Sequence, residues 1–428
     1  MTKEGDAATP PAKRPLYRRI LADTRPLQES PTYRRLWIGQ SLSVIGSRMT
    51  SVAVPVQVYA LTHSSLAVGM IGLTIAVPLI GLGLLGGSIA DAFDRRRLVL
   101  ITTTLLAVVS LLFALQALLD LRQLWLLYVL IAVQSCLSAI DQPARRTFIP
   151  RLLPPDRIPA ATALSFLSFH VSNTVGPLVA GTIIAAAGLQ TAYVVDAVSF
   201  FFSFYGVMRL PAMPPQGGGA SPGLRAVAEG LRFVRHQPVI ATTLLVDLNA
   251  TFFGMPFALF PALAATRFGG GAQTVGLLYA APAIGGVIAS ACSGPLSHLH
   301  HQGRAILIAV AIWGAAIAGF GATKLLWLGV ILLAIAGATD VINGVFRTTI
   351  IQVNTPDALQ GRVNSVGFVV GAGGPHLGDV ESGVVASIIS PVFSAVSGGL
   401  ASVAGVVLLG LIRPAFARYD ARNGPHIT

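Results

Sequence analysis

Long apolar runs alternate with short polar turns from residue 37 to residue 412, and few folds are compatible with that pattern. Twelve stretches are long enough to cross about 30 Å of hydrocarbon at about 1.5 Å per residue. They fall at 37–61, 66–90, 97–119, 123–143, 159–187, 191–209, 238–265, 274–297, 304–322, 326–346, 363–390 and 392–412. Each is too long and too continuous for a barrel strand, which leaves the α-helix as the spanning element. Pro55, Pro78, Pro177, Pro256, Pro282 and Pro375 lie inside these runs, where neighbouring helices can satisfy the backbone groups a proline frees. A composition of 54 % hydrophobic and 11 % charged residues lies far outside soluble usage. The predicted class is an all-α membrane protein.

The net charge of +12 invites a nucleic-acid reading, so its distribution decides. Of 29 lysines and arginines, 25 fall in the N-terminal tail, the C-terminal tail and the alternate turns on the same side. The opposite side has Arg122, Arg267 and Lys324, and Arg48 lies within the first stretch. This asymmetry places both termini in the cytoplasm and makes the charge a record of topology. No soluble domain is left to bind nucleic acid. No short cleavable apolar segment precedes the first run, so the basic tail is expected to be retained. Cys136 and Cys292 sit in apolar runs without metal-type spacing and read as small packing residues.

The chain also repeats itself. Arg146–Asp156 (RTFIPRLLPPD) resembles Arg347–Asp357 (RTTIIQVNTPD), Gly176–Gly181 (GPLVAG) resembles Gly374–Asp379 (GPHLGD), and Gly87 and Asp91 correspond to Gly294 and His298. The matches lay stretches 1 to 6 over 7 to 12, two parallel six-helix repeats as in known transporters. The expected organisation is a cytoplasmic tail (1–36), a six-helix half (37–209), a linker (210–237), a second half (238–412) and a cytoplasmic tail (413–428). Leu224, Val227, Leu231 and Val234 have helical spacing in the linker, with Arg225, Arg232 and Arg235 elsewhere on the wheel. That predicts a short helix on the membrane surface.

Between the second and third stretches the chain reads GGSIADAFDRRRLVL. Gly87, Asp91, Arg95 and Arg96 resemble the signature of the major facilitator superfamily: a glycine, three residues, an aspartate and a basic cluster. Ala92 stands where a basic residue is usual and Asp94 where a glycine is common. That departure is shared with the branch containing bacterial siderophore (enterobactin-type) and multidrug exporters. The resemblance covers almost the whole chain and implies twelve transmembrane helices in two pseudo-symmetric halves. It also implies that this turn docks the halves on the cytoplasmic side when the transporter opens outward, Asp91 and the arginines pairing with each other and with Asp141. Arg97 reads as a topology anchor.

The fifth stretch carries Ala163, Ser172, Gly176, Pro177, Ala180 and Gly181 at the spacing of a superfamily antiporter motif. Its physical requirement is a close helix crossing with a proline bend at the contact between halves. With the turn motif it tilts the direction toward export.

Polar groups inside the bilayer are functional candidates by default. Arg48 lies about 16 Å past Trp37, with Gln40 and Tyr59 as companions; it either binds a substrate anion or pairs with an acid on another helix. Asp247 and Asn249 lie in stretch 7. Stretch 10 has Asp340, Asn343 and Arg347, with Asp340 and Arg347 expected as a local stripe. Stretch 11 has His376, Asp379 and Glu381 after an expected break at Gly374–Pro375. Asp379, Glu381 and His376 are proton-coupling candidates, followed by Asp247 and Asp340; the alternative is a hydrated vestibule. Asp196 is expected to be solvated near the external surface. Asn249 joins the substrate-binding candidates.

No nucleophile, metal constellation or phosphate loop marks an enzyme or an ATP-driven pump, and His298, His300 and His301 read as soft positive anchors. The expected function is a secondary transporter, a proton-coupled exporter of siderophores, drugs or other amphipathic molecules, with a proton-coupled importer as the alternative. Neither cofactor nor metal is expected. The expected partners are substrate, protons and the bilayer, with the chain a monomer in a bacterial inner membrane.

Overall fold

The computed structural model describes residues 23–214, 224–292 and 299–420, and within them the side chains of 84–92, 224–226 and 358 lie outside the description. The tail cations up to Arg19, the side chains of Asp91 and Arg225, and Gly294, His298 and Arg422 are therefore outside the described residues, while Gly87 is described by its backbone alone.

Helix is found in every one of the twelve predicted stretches. The elements are α1 (Pro31–Thr62), α2 (Ser65–Ala92), α3 (Arg95–Leu118), α4 (Leu124–Arg146), α5 (Ile158–Met208), α6 (Leu224–His236), α7 (Pro238–Phe253), α8 (Phe260–Thr266), α9 (Ala272–Ala291), α10 (Gln302–Ala322), α11 (Leu326–Asn354), α12 (Asp357–Ile388) and α13 (Pro391–Ile412). The 51-residue α5 is two arms, 158–187 and 189–208, joined at Gly188, whose φ of 83° only glycine adopts freely. Among the described residues, nine stretches are long and apolar enough to cross a membrane, one of them spanning both arms of α5. The helices α1 and α12 are as long but more polar.

Local chemistry sets the helix ends. Ser30, Ser64, Asp94 and Ser390 each accept the backbone N–H three residues on, at 3.2, 3.3, 2.9 and 3.1 Å. These caps allow turns as short as His63–Ser64 between α1 and α2. Three expectations are corrected. The helix runs unbroken through Gly374–Pro375, and the break falls instead at Gly254–Pro256, between α7 and a 3₁₀ turn at Phe257–Leu259. The linker helix α6 does not simply rest on a membrane. Its Val227 and Val234 pack with Ile240, Leu244, Val363 and Val366 of α7 and α12, and Glu229 pairs with Arg362 at 3.1 Å. Cys292, expected in packing, is exposed.

One continuous core joins both halves at the end carrying the turns 63–64 and 267–271. It includes Val54, Val58 and Phe113 from the first half and Leu259, Phe260, Leu278 and Phe320 from the second. At the opposite end, where the described chain begins and ends, the cores are separate. Leu36, Val99 and Phe148 cluster in the first half; Val246, Ile306 and Phe346 cluster in the second.

Glycine makes the joined end possible. A Cβ built at Gly276 of α9 would lie 3.0 Å from Gly181 Cα of α5. One built at Gly69 of α2 would lie 3.2 Å from Gly383 Cα of α12. Without a hydrophobic driving force between helices in lipid, such backbone approach supplies the packing. At the other end Gly81, Gly361, Gly367 and Gly371 face open space. The halves are therefore sealed at one end and parted at the other.

Gly181→Val and Gly276→Val should each hold the sealed end open, reducing transport about tenfold or more at normal membrane abundance. A cysteine at Ser65, 7 % exposed here, in a chain with Cys136 and Cys292 replaced by serine, should then react with an impermeant thiol reagent. Equal protection in variant and parent would show that these crossings do not set the seal.

Candidate functional site

Of the antiporter-type residues of α5, Gly176, Pro177 and Gly181 lie at close helix crossings. Gly176 packs on Ile45 and Arg48 of α1, while Pro177 and Gly181 lie against Gly276 of α9. Ser172 and Ala180 are fully buried, and Ala163 is exposed. One arm is thus wedged between its own half and the other. The repeat that aligns Gly176–Gly181 with Gly374–Asp379 sets Asp379 where the first half has Gly181. Its crossing is with α2, where a Cβ at Gly72 would lie 2.9 Å from Asp379 Cβ.

Asp379 also satisfies the helix break. Its Oδ1 accepts the N–H of Ala258 at 3.1 Å, Trp313 Nε1 donates to Gly254 O at 2.8 Å, and the Tyr279 hydroxyl donates to Phe257 O at 3.1 Å. Three helices thereby cover backbone groups that hydrocarbon would leave bare. His376 Nδ1 lies 3.9 Å from Asp379 Oδ2. Glu381 is partly buried on the same helix.

In the second half Arg347 pairs with Asp247, correcting the expected stripe with Asp340. Asn343 Nδ2 donates to the same carboxylate at 3.0 Å. The physical reason is reach: a guanidinium on α11 finds an anion on facing α7, with Asp247 only 1 % exposed, whereas Asp340 is exposed two turns away. Asn249 turns toward α13, donating to Ser402 O at 2.9 Å, so its role here is to hold two helices together.

The first half holds a ladder that sequence reasoning missed. Gln57 and Gln116 exchange amide hydrogen bonds at 3.0 and 2.9 Å, and the Tyr193 hydroxyl donates to Gln57 at 2.8 Å. Asp196, expected to be solvated, is fully buried and accepts from Thr50 at 2.6 Å and Ser110 at 2.8 Å. Further along, Asp141 pairs with Arg145 one turn on and accepts from Thr102 at 2.6 Å. Arg145 also donates to Thr103 at 2.6 Å and Ser203 at 3.2 Å. The signal was present as Tyr193, Asp196, Ser199 and Ser203, a polar stripe at helical spacing in an apolar run.

In this state Arg145 holds Asp141. The turn fastens the end of α5. Asp94 accepts the N–H of Met213 at 3.0 Å, Arg95 N–H donates to Met213 O at 3.1 Å, and Arg96 donates to Met208 O at 2.7 Å. Arginine on terminal helix carbonyls answers both their free lone pairs and the dipole. Asp94, the departure from the superfamily pattern, is the cap of α3.

The α1 candidates are not brought together. Arg48 lies 5.6 Å over the Phe169 ring and is paired with no carboxylate among the described residues. Gln40 is partly buried about 12 Å along the helix, and Tyr59 packs edge-on to His63 at 5.8 Å, inside the sealed end. A recess of ≈ 260 Å³ lies between the halves at the parted end, lined by Ser138, Gln142 and Arg146 of α4 and by Asn364, Ser365 and Phe368 of α12.

Truncating one member of a buried pair strands the other. Asp247→Ala should destabilise the second half by on the order of 3 kcal/mol, read as a lowered unfolding temperature in detergent, and adding Arg347→Met should restore most of it. An unchanged unfolding temperature in Asp247→Ala would show the pair to be idle.

The family model for the transmembrane secretion effector matches residues 22–423. The enterobactin exporter of Citrobacter koseri is 28 % identical over 387 residues, covering 90 % of this chain and 92 % of that one. A peptide transporter of the POT type superposes with a TM-score of 0.73 at 12 % identity, over 91 % of this chain and 95 % of that one. A bacterial homologue of the lysosomal transporter Spinster, in an inward-facing and unoccupied conformation, superposes with 0.69 at 16 % identity, over 94 % and 98 %. The chain belongs to the transmembrane secretion effector family and is a multi-pass exporter of the major facilitator fold.

Proposed function

We propose that the chain is a proton-coupled exporter of siderophores or similar amphipathic molecules, working by alternating access as a monomer in a bacterial inner membrane. Both termini are cytoplasmic and twelve helices span the bilayer, in halves 37–209 and 238–412. The carrying observation is the asymmetry of the seal: glycine crossings close one end while the halves part at the other. With the termini inside, this is the inward-facing, loading state. The relative named for enterobactin export supports the substrate class.

In this reading Gly87, Asp91, Arg95 and Arg96 act in the opposite state, docking the parted ends. Arg48 meets anionic substrate. The proton carriers are Asp379 and Glu381, with His376 as a neighbour and Asp247 and Asp340 as further candidates. Protonating Asp379 weakens its hold on the Ala258 N–H, and the residue stands at the crossing with α2, so its charge is placed beside the seal.

Proteoliposomes loaded with enterobactin as the probe test this. An imposed pH gradient should drive uphill movement by the parent chain. Asp379→Asn should abolish it while sparing downhill exchange, and Asp91→Asn should slow both at least tenfold at normal abundance. Movement indifferent to the gradient in the parent chain would overturn proton coupling, and no movement of the probe would overturn the substrate class.

A further inference from the structure

Asp196 is the one fully buried carboxylate among the described membrane residues that faces hydroxyls alone. Asp141 and Asp247 are each held by an arginine, and Asp379 by a backbone amide. Around Asp196, α1 supplies Thr50 at 2.6 Å and Ser47 at 3.5 Å, and α3 supplies Ser110 at 2.8 Å. The titratable and charged groups on the surrounding helices point elsewhere. Tyr193, on the same arm, donates to Gln57; Arg145 reaches Ser203 but is bound to Asp141; Arg48 lies over Phe169. Gly46 of α1 packs closely on the carboxylate, since a Cβ there would lie 2.8 Å from Asp196 Oδ1.

A hydroxyl is donor and acceptor at once, which a guanidinium or a backbone N–H is not. A cage of hydroxyls therefore serves both forms of a carboxyl. Ionised, it takes hydrogen bonds from Thr50 and Ser110. When a proton adds to Oδ2, the acid donates to one of these oxygens, whose own hydrogen turns to a carbonyl one helical turn back. No other bond forms or breaks. The exchange reverses one hydrogen bond and leaves the others neutral instead of charge-assisted, which weakens the hold of the second arm of α5 on residues 47–50 of α1, the turn that carries Arg48 against Gly176.

We propose that Asp196 is a second proton-binding site, in the first half, whose occupancy is transmitted through the α1 turn 47–50 to Arg48. It rests on the exporter reading only for its effect on transport. The stripe above and below Asp196, from Gln57–Gln116 to Arg145–Asp141, continues the polar ladder toward both ends of the half.

The full chain in lipid nanodiscs, studied by infrared difference spectroscopy between about pH 5 and 9, tests binding without a ligand. A protonated-carboxyl band should titrate, vanish in Asp196→Asn and persist in Asp379→Asn. Thr50→Val and Ser110→Ala, which keep the carboxyl if the asparagine variant fails to fold, should each displace its midpoint by about one pH unit. Transmission is read at Ser51→Cys, beside Arg48, in a chain with Cys136→Ser and Cys292→Ser. After correction against a Leu411→Cys control for thiol ionisation, its labelling rate should change several-fold across the same midpoint and stay flat with Asp196→Asn. Identical titrating bands in parent and Asp196→Asn, with no displacement in the hydroxyl variants, would overturn the site. A titrating band with a flat labelling rate would overturn the transmission. Absence of pH-driven transport in the parent overturns the proton-coupled reading and leaves the infrared result standing.

Discussion

Two places where backbone meets backbone carry this structure. Gly181 on Gly276 and Gly69 on Gly383 let helices of opposite halves approach closer than side chains allow, and in lipid such packing is the main attraction available between helices. Everything else is arranged around the resulting seal. The shared core lies on that side, the helix break at Gly254–Pro256 sits beside it, and the cleft opens away from it. A seal built from small contacts can be released by a small change, as alternating access requires.

The second constraint is that hydrocarbon tolerates no bare charge or amide. The two halves meet it differently. The second half closes Asp247 with Arg347 and assigns Asp379 to the broken helix. The first half pairs Asp141 with Arg145 and leaves Asp196 to hydroxyls. A carboxylate locked to arginine stabilises one arrangement, whereas one held by hydroxyls or by a single amide can change protonation without stranding a cation.

Much of the fold was legible because its cause is local. Apolar run length marked stretches in each of which helix is found, and the small residues around Pro177 marked a crossing between halves. What escaped depended on partners distant in the chain. Pro375 and Pro256 look alike in sequence, but only at Pro256 do Trp313, Tyr279 and Asp379 converge to receive freed backbone groups. Arg347 was assigned to Asp340 by spacing, while the choice of Asp247 required knowing that α7 faces α11. Asp196 was misplaced because depth along a helix does not reveal which helices cover it.

The central claim is that sealing at one end and parting at the other are two sides of one motion. Spin labels on His63 and Ile388 report the sealed end; labels on Arg146 and Gln360 report the parted end. Pulsed dipolar distance distributions in nanodiscs, collected in acidic and alkaline buffer, test the link directly. The account predicts opposite changes, one pair separating as the other draws together, with the balance moving with pH. Both pairs changing in the same sense, or neither responding, would contradict it.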